Sequence, residues 1–171
     1  MIVRDARLGD VSAVAAIYAH HVRHGTASFD TDPLGEEIWS GKLDDMAARG
    51  WPFLIAERDK AVIGYAYATQ FRDRPAYAET CENSIYVAPS ALGGGVGSAL
   101  MNALLDRAVA SGLRQMIAVI GGGEPASVAL HAKAGYVHAG RMRRVGRKFG
   151  TLLDTVYMQR ELSAPGEDSS R

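Results

Sequence analysis

The feature that most constrains this chain is Leu92-Gly93-Gly94-Gly95-Val96-Gly97-Ser98, which holds four glycines in five positions between apolar segments of different period. Before it, residues 79–87 alternate, with Cys81, Asn83, Ile85 and Val87 on one face and Glu82, Ser84 and Tyr86 on the other, as in a strand. After it, Leu100, Met101, Leu104, Leu105 and Ala108 recur at helical spacing, and Gly112 supplies a stop. A strand, a glycine turn over residues 89–97 and a helix from Ser98 bring successive N–H groups and a positive helix end toward one point. An anion such as a pyrophosphate fits there without a side chain in the way. A plain flexible turn is the other reading, and no Gly-Lys-Ser/Thr follows to make a Walker loop.

The rest of the chain alternates between the two periods. Residues 2–7 read as a strand, and Asp10 as the N-cap of a helix whose apolar face carries Val11, Val14, Ala15, Tyr18 and Val22. After a loop from Gly25, Asp32 and Pro33 open a second helix with Leu34, Ile38 and Met46 inward, ending at Gly50. Residues 51–57 and 62–70 are rich in β-branched and aromatic side chains and flank Arg58-Asp59-Lys60, the pattern of a hairpin. A strand over 116–120, a loop over 121–125 and a helix over 126–134 follow, with Gly135 as left-handed cap. Strands near 137–144 and 153–160 complete one domain over residues 1–162, and the small polar tail 163–171 is expected to be disordered.

Charge narrows the partners. Nineteen Lys and Arg balance nineteen Asp and Glu, so no global field recruits nucleic acid or an anionic membrane. Arg141, Arg143, Arg144, Arg147 and Lys148 do gather, either as a solvated strand and turn or as a local patch for a phosphate-bearing ligand. The single Cys81 forms no internal disulfide, and Met-Ile-Val-Arg-Asp at the start lacks the apolar run of a signal peptide. No stretch approaches the roughly 18 apolar residues of a membrane span. A cytoplasmic protein with no membrane partner is expected.

Several side chains are candidates for chemistry. Glu82 is a carboxylate in mid-strand: beside a cleft, desolvation would raise its pKa and make it a base for an ammonium substrate, and on an open face it is a solvated strand residue. His131, on the helix after the second glycine loop, is either a packed ring or a proton donor. Arg72 and Arg74 flank Asp73 before Pro75 and Tyr77, as surface charge or as a clamp for a substrate carboxylate. His20 and His24 have helical metal spacing but lack an acidic third ligand, so His20, His21 and His24 read as surface or packing residues and no metal is expected. Cys81 faces away from Glu82 and Ser84 has no recognisable His and Asp partners, which disfavours a covalent nucleophile.

In order and spacing these pieces resemble the GCN5-related N-acetyltransferase superfamily, and within it the phosphinothricin and methionine sulfone acetyltransferase branch. The resemblance spans nearly the whole chain. It is carried by Ile17-Tyr18, Thr26-Ala27-Ser28-Phe29, residues 80–87, the glycine loop, Leu130-His131-Ala132-Lys133-Ala134-Gly135-Tyr136, and residues 145–150 through Leu153-Asp154 to Met158-Gln159-Arg160.

The resemblance implies an α+β fold: a mostly antiparallel, twisted mixed sheet of about seven strands flanked by helices, with two central strands splayed apart for a pantetheine arm. It implies acetyl-CoA as cosubstrate, direct transfer to the amine of a small amino-acid-like molecule, and a homodimer. Other amines (a peptide N-terminus, a polyamine, an aminoglycoside) and a non-catalytic acyl-CoA-binding module are the alternatives. It assigns cofactor contacts to the main chain of Ile85, Tyr86 and Val87, to Gly93, Gly94, Gly95, Val96, Gly97 and Ser98, and to Glu124 and Ser127 in the following loop and helix. Glu82 falls on the presumed general base, and His131 on the residue that protonates the departing thiolate. Phe29, Arg72, Arg74 and Tyr77 fall around the acceptor. Two positions depart from the pattern: Leu92 replaces a Gln or Arg, and Glu124 replaces an Asn.

Overall fold

Asp59 and Lys60 both take positive φ, 51° and 64°, so the expected hairpin closes through a two-residue turn whose twist suits its strands. It joins β2 (Phe53–Arg58) to β3 (Ala61–Gln70) in the computed structural model, which describes residues 1–162. Before the hairpin come β1 (Ile2–Asp5), α1 (Val11–His24) and α2 (Glu36–Arg49). After it come β4 (Thr80–Val87), α3 (Val96–Ala110), β5 (Gln115–Gly121), α4 (Pro125–Lys133), β6 (Val137–Lys148) and β7 (Thr151–Glu161). The tail from Ser163 lies outside the described residues.

The strands form one seven-stranded sheet in the order β1-β2-β3-β4-β5-β7-β6. Neighbours are antiparallel except β4 and β5, which run parallel. That exception shapes the site. β4 and β5 pair only from Thr80↔Gln115 to Asn83↔Ala118, although β4 continues to Val87 and β5 to Gly121. Beyond Asn83 the two strands part, and their facing edges have no ladder partner. The expected split is therefore present in mid-sheet.

Strand alternation distributes the core over both faces of the sheet. Cys81 packs with Leu100, Met101, Leu104 and Met116 beneath α3, with Ile85 and Val87 against that cluster. Tyr86 packs on the other face with Val14, Tyr18, Trp39, Phe53, Tyr65 and Tyr67 under α1 and α2. At about 25 cal/mol per Å² of apolar area, these rings and aliphatic chains are the main force closing the helices onto the sheet. Glu82 follows Tyr86 onto the face away from Cys81, as its spacing implied.

Several element boundaries differ from the sequence reading. Asp10 makes no side-chain cap for α1. Its carboxylate accepts from the Arg4 guanidinium (2.8 and 2.9 Å) and the Arg7 N–H (2.8 Å), while Arg4 also bonds Glu57, so Arg4 of β1 bridges Asp10 and Glu57 of β2. Asp32 and Pro33 do not open α2, which begins at Glu36 after an extended Gly35, and upstream of them Ser28 and Asp30 are held by Tyr18. α3 begins at Val96 rather than Ser98. β6 and β7 run past the expected limits and meet at a turn with Phe149 and Gly150 at positive φ. A register irregularity between Met142 and Gly146, with Arg144 at φ 56°, interrupts the alternation on which the shorter reading rested.

Candidate active site

The split between β4 and β5 opens into a cavity of about 750 Å³ that reaches the N-terminus of α3. It is lined by Ile85, Tyr86 and Val87 of β4, by Gly93, Gly95, Gly97 and Ser98 of the glycine loop, by Ala118, Val119 and Ile120 of β5, and by Glu124 just before α4 with Ser127, Leu130 and His131 of α4. Most of the positions expected to meet a cofactor thus share one space, assembled from segments far apart in sequence.

Strand geometry decides which main-chain groups of β4 face that space. Glu79 O accepts from Arg114 and Gln115 on the β5 side, whereas Thr80 O accepts from Phe71 and the Ala88 N–H donates to Ile63 on the β3 side. By alternation, Ile85 and Val87 turn their main-chain groups into the split, and Tyr86 turns its own toward β3. Tyr86 therefore lines the cavity without aiming its main-chain groups at it, a correction to the expected three-residue contact. His21 Nε2 donates to Val87 O at 2.8 Å, fixing α1 to this open edge.

The glycine loop runs into α3 two residues earlier than the sequence suggested. Gly95 caps α3 at φ 77°, a left-handed conformation that favours glycine, and no side chain caps the helix. The first helical bond runs from Ala99 N to Gly95 O, so the N–H groups of Val96, Gly97 and Ser98 precede the ladder. Those donors and the helix dipole suit a phosphate group. Gly94 departs from the expectation, because its N–H donates back to Ala91 O at 3.4 Å. The Val96 side chain is buried in the core beside Gly64 of β3, and the residue is not part of the cavity lining. Glu124 does not present a free carboxylate: Oε2 accepts the Ser127 N–H at 2.8 Å and caps α4. The cavity, the open strand edge and the uncapped helix fit an acyl-CoA.

His131 is 4% exposed and bonded on both ring nitrogens. Nδ1 lies 2.7 Å from Ser127 O, a carbonyl that only accepts, so Nδ1 carries the hydrogen. Nε2, 2.9 Å from Asn83 Nδ2, is then the acceptor in the neutral ring. Asn83 Oδ1 in turn accepts from Tyr136 Oη at 3.1 Å. Burial lowers the ring pKa, and the Ser127 carbonyl acts the other way.

Glu82 sits beside two cavity-lining residues, Asn83 and Ser84, on the α1 and α2 face of β4. Burial raises its pKa, and the positive charges of Arg72 and Lys42 partly offset this. Lys42 lies over the rings of Tyr67 and Trp39 at 5.6 and 5.9 Å. The Arg72 guanidinium lies 4.7 Å from the Phe71 ring, which meets Tyr77 edge-on at 5.7 Å. Arg74 is exposed, and its carbonyl rather than its guanidinium is engaged, accepting from Tyr77 N and Gln70 Nε2. Phe29 packs against Gly146, where an added Cβ would overlap its ring, and against Gly121. These glycines admit the loop after α1 to the ends of β5 and β6.

Sequence reasoning missed His21, Asn83, Tyr136 and the buried Lys148. Lys148 was assigned to a basic surface, but it is 5% exposed and donates to Ser28 O at 2.7 Å, anchoring that loop. His21 had a signal, since it lies three residues after the inward Tyr18. His20 and His24 have ring centroids 4.7 Å apart, and the described residues contain no group of three or more metal-type ligands. No helix among them is long and apolar enough to cross a membrane.

Comparison with known proteins agrees with this geometry. The model of the acetyltransferase (GNAT) family matches residues 14–136. The chain is 48% identical over 163 residues to a phosphinothricin N-acetyltransferase of Alcaligenes faecalis, covering 95% of this chain and 83% of that one. It is 38% identical over 162 residues to an L-methionine sulfoximine/L-methionine sulfone acetyltransferase of Pseudomonas aeruginosa, covering 94% of each. Among solved structures, a phosphinothricin acetyltransferase from Sinorhizobium meliloti in complex with AcCoA superposes with a TM-score of 0.92 at 41% identity, covering 98% of this chain and 94% of that one.

Proposed function

The chain belongs to the GNAT acetyltransferase family, and from that premise we propose that it transfers the acetyl group of acetyl-CoA to the amine of a small amino acid of the phosphinothricin, methionine sulfoximine or methionine sulfone kind. The observation that carries this reading is the continuity of the split between β4 and β5 with the uncapped N-terminus of α3. Ile85 and Val87 would hold the cofactor arm through their main chain, the N–H groups of Val96, Gly97 and Ser98 its pyrophosphate, and Ser127 the wall opposite. Bound there, acetyl-CoA supplies a thioester carbonyl open to attack.

The acceptor side follows from charge. An α-amino group has a pKa of about 7.7 to 8.0, so near neutrality most acceptor arrives as ammonium and must lose a proton before attack. Glu82, with its pKa raised by burial, is matched to take it. Arg72 holds the acceptor carboxylate, Tyr77 and Phe29 wall the amino-acid side chain, and Arg74 adds positive charge at the mouth. Direct attack needs no covalent enzyme intermediate, in keeping with a buried Cys81 whose thiol pKa is pushed up to about 12.

Residues 1–162 act as one catalytic domain in this account, working in the cytoplasm as a homodimer. The edge strand β6 exposes Val137, Met142 and Val145, and the following turn Phe149, an apolar surface suited to a second copy of the chain. Light scattering of the purified protein reads that state directly.

The function itself is tested by release of free thiol from acetyl-CoA in the presence of amino-acid analogues, peptides, polyamines and aminoglycosides. Release with methionine sulfone or phosphinothricin, and product bearing one N-acetyl group, is expected. Release only with a polyamine, aminoglycoside or peptide would contradict the acceptor assignment, and retention of coenzyme A without turnover of any amine would contradict catalysis.

A further inference from the structure

Among the described residues, two cations act on Glu82 without pairing to any carboxylate. Lys42 of α2 is half-buried and lies over the Tyr67 and Trp39 rings, 5.6 and 5.9 Å from their centroids. Tyr67 faces Ser84 across the β3–β4 ladder, so Glu82 is its diagonal neighbour on the same face. Arg72 reaches this place from the β3–β4 connection, with its guanidinium over the Phe71 ring.

Helix α2 governs both cations. It carries Lys42, and its Arg49, held by Asp45, donates to Gln70 Oε1 at 3.0 Å. Gln70 Nε2 in turn donates to Arg72 O and Arg74 O at 2.9 and 3.3 Å, which fixes the segment bearing the second cation.

The charges around Glu82 do not cancel. Asp30 is matched elsewhere: it accepts from Tyr18 Oη, and the buried Lys148 ammonium feels its charge. Exposed Asp73 and Arg74 offset one another. Glu82 then balances one of Lys42 and Arg72 and leaves one positive charge over. An acceptor with a neutral side chain is a zwitterion and leaves that surplus in place, whereas an ionised oxyanion on the side chain removes it. A half-buried ammonium gains from such a partner because solvent screens it less.

We propose that Lys42 is a specificity-determining residue that binds an ionised oxyanion on the acceptor side chain while Arg72 holds the α-carboxylate, so amino acids with a second acidic group are the preferred acceptors. Its role rests on the acetyl-transfer reading above. Phosphinothricin and methionine sulfone form a matched pair for this question. Each side chain ends in a methyl-bearing tetrahedral centre with two oxygens, on phosphorus with a negative charge in the first and on sulfur without charge in the second. Shape does not separate them, and the ammonium of Lys42 does.

The test compares kcat/KM for the two acceptors at saturating acetyl-CoA in wild type, Lys42→Met and Lys42→Arg. Wild type should favour phosphinothricin about tenfold or more, the size expected of a hydrogen bond to a charged group. Lys42→Met keeps an aliphatic stem over the rings and loses the charge, so kcat/KM should fall about 10- to 100-fold for phosphinothricin and less than about threefold for methionine sulfone. Lys42→Arg should keep most of the preference. Removing a cation near Glu82 shifts the pH profile alike for both acceptors and cancels in their ratio. A wild type that uses methionine sulfone as well as phosphinothricin, or better, would overturn the assignment, and so would an equal loss for both acceptors in Lys42→Met. Calorimetry of the pair with coenzyme A bound reads the same preference without turnover. Absence of thiol release with either acceptor would contradict acetyl transfer, whereas turnover of both without a charge preference would contradict only the role of Lys42.

Discussion

The Glu124 carboxylate accepts the Ser127 N–H at 2.8 Å and so caps the helix that carries His131. The acidic side chain that stands in place of the family's Asn is thus committed to a helix N-terminus, where the dipole favours negative charge.

Glu124→Asn should leave thermal stability nearly unchanged, because Asn also caps well, and should leave acetyl-CoA affinity equal or slightly higher. Glu124→Ala should cost about 0.5–2 kcal/mol of stability. Thermal unfolding and calorimetry with acetyl-CoA check both. A marked loss of affinity in Glu124→Asn would mean that the carboxylate itself contacts the cofactor.

Gly95→Val should weaken acetyl-CoA binding at least tenfold in calorimetry while the fold persists. A β-branched residue is strained at φ 77°, and its side chain would stand at the helix end. Unchanged affinity in a folded variant would remove the glycine loop from the cofactor site.

Arg72→Ala should raise KM for an amino-acid acceptor, with a loss in kcat/KM equivalent to about 1.5–3 kcal/mol for a hydrogen bond to a charged group. Acetyl-CoA affinity should hold, since Arg72 lies beyond the cavity lining. Esterifying the acceptor should produce a similar loss in wild type. Equal turnover of acid and ester would assign Arg72 to the surface instead.

Much of this site was legible in the sequence because it depends on period and main chain. The alternation of residues 81–87 separated Cys81 from Glu82, and the glycine run marked the start of α3 to within two residues. Longer-range partners were not legible. Asn83 gains its role from His131, 48 residues away, and Lys148 is buried by Ser28, 120 residues away. Asp10 looked like a cap by local spacing, but its partner is Arg4, whose guanidinium also bonds Glu57 on the neighbouring strand. Local chemistry names the donors and acceptors, and only the folded sheet decides which of them meet.

The central claim is that Glu82 is the base, and the pH dependence of kcat/KM in wild type and Glu82→Gln tests it most directly. A base works when deprotonated, so wild-type activity should rise with pH through the Glu82 pKa, which burial holds above the ordinary carboxylate range. Glu82→Gln keeps the side-chain size but cannot take a proton. It should lower kcat/KM near neutrality by about 10² to 10⁴ and recover in part at high pH, where the acceptor amine is already unprotonated. Acetyl-CoA affinity should stay the same in both proteins. Wild-type kcat/KM with an unchanged pH profile in Glu82→Gln would contradict the account and leave Glu82 a structural residue of β4.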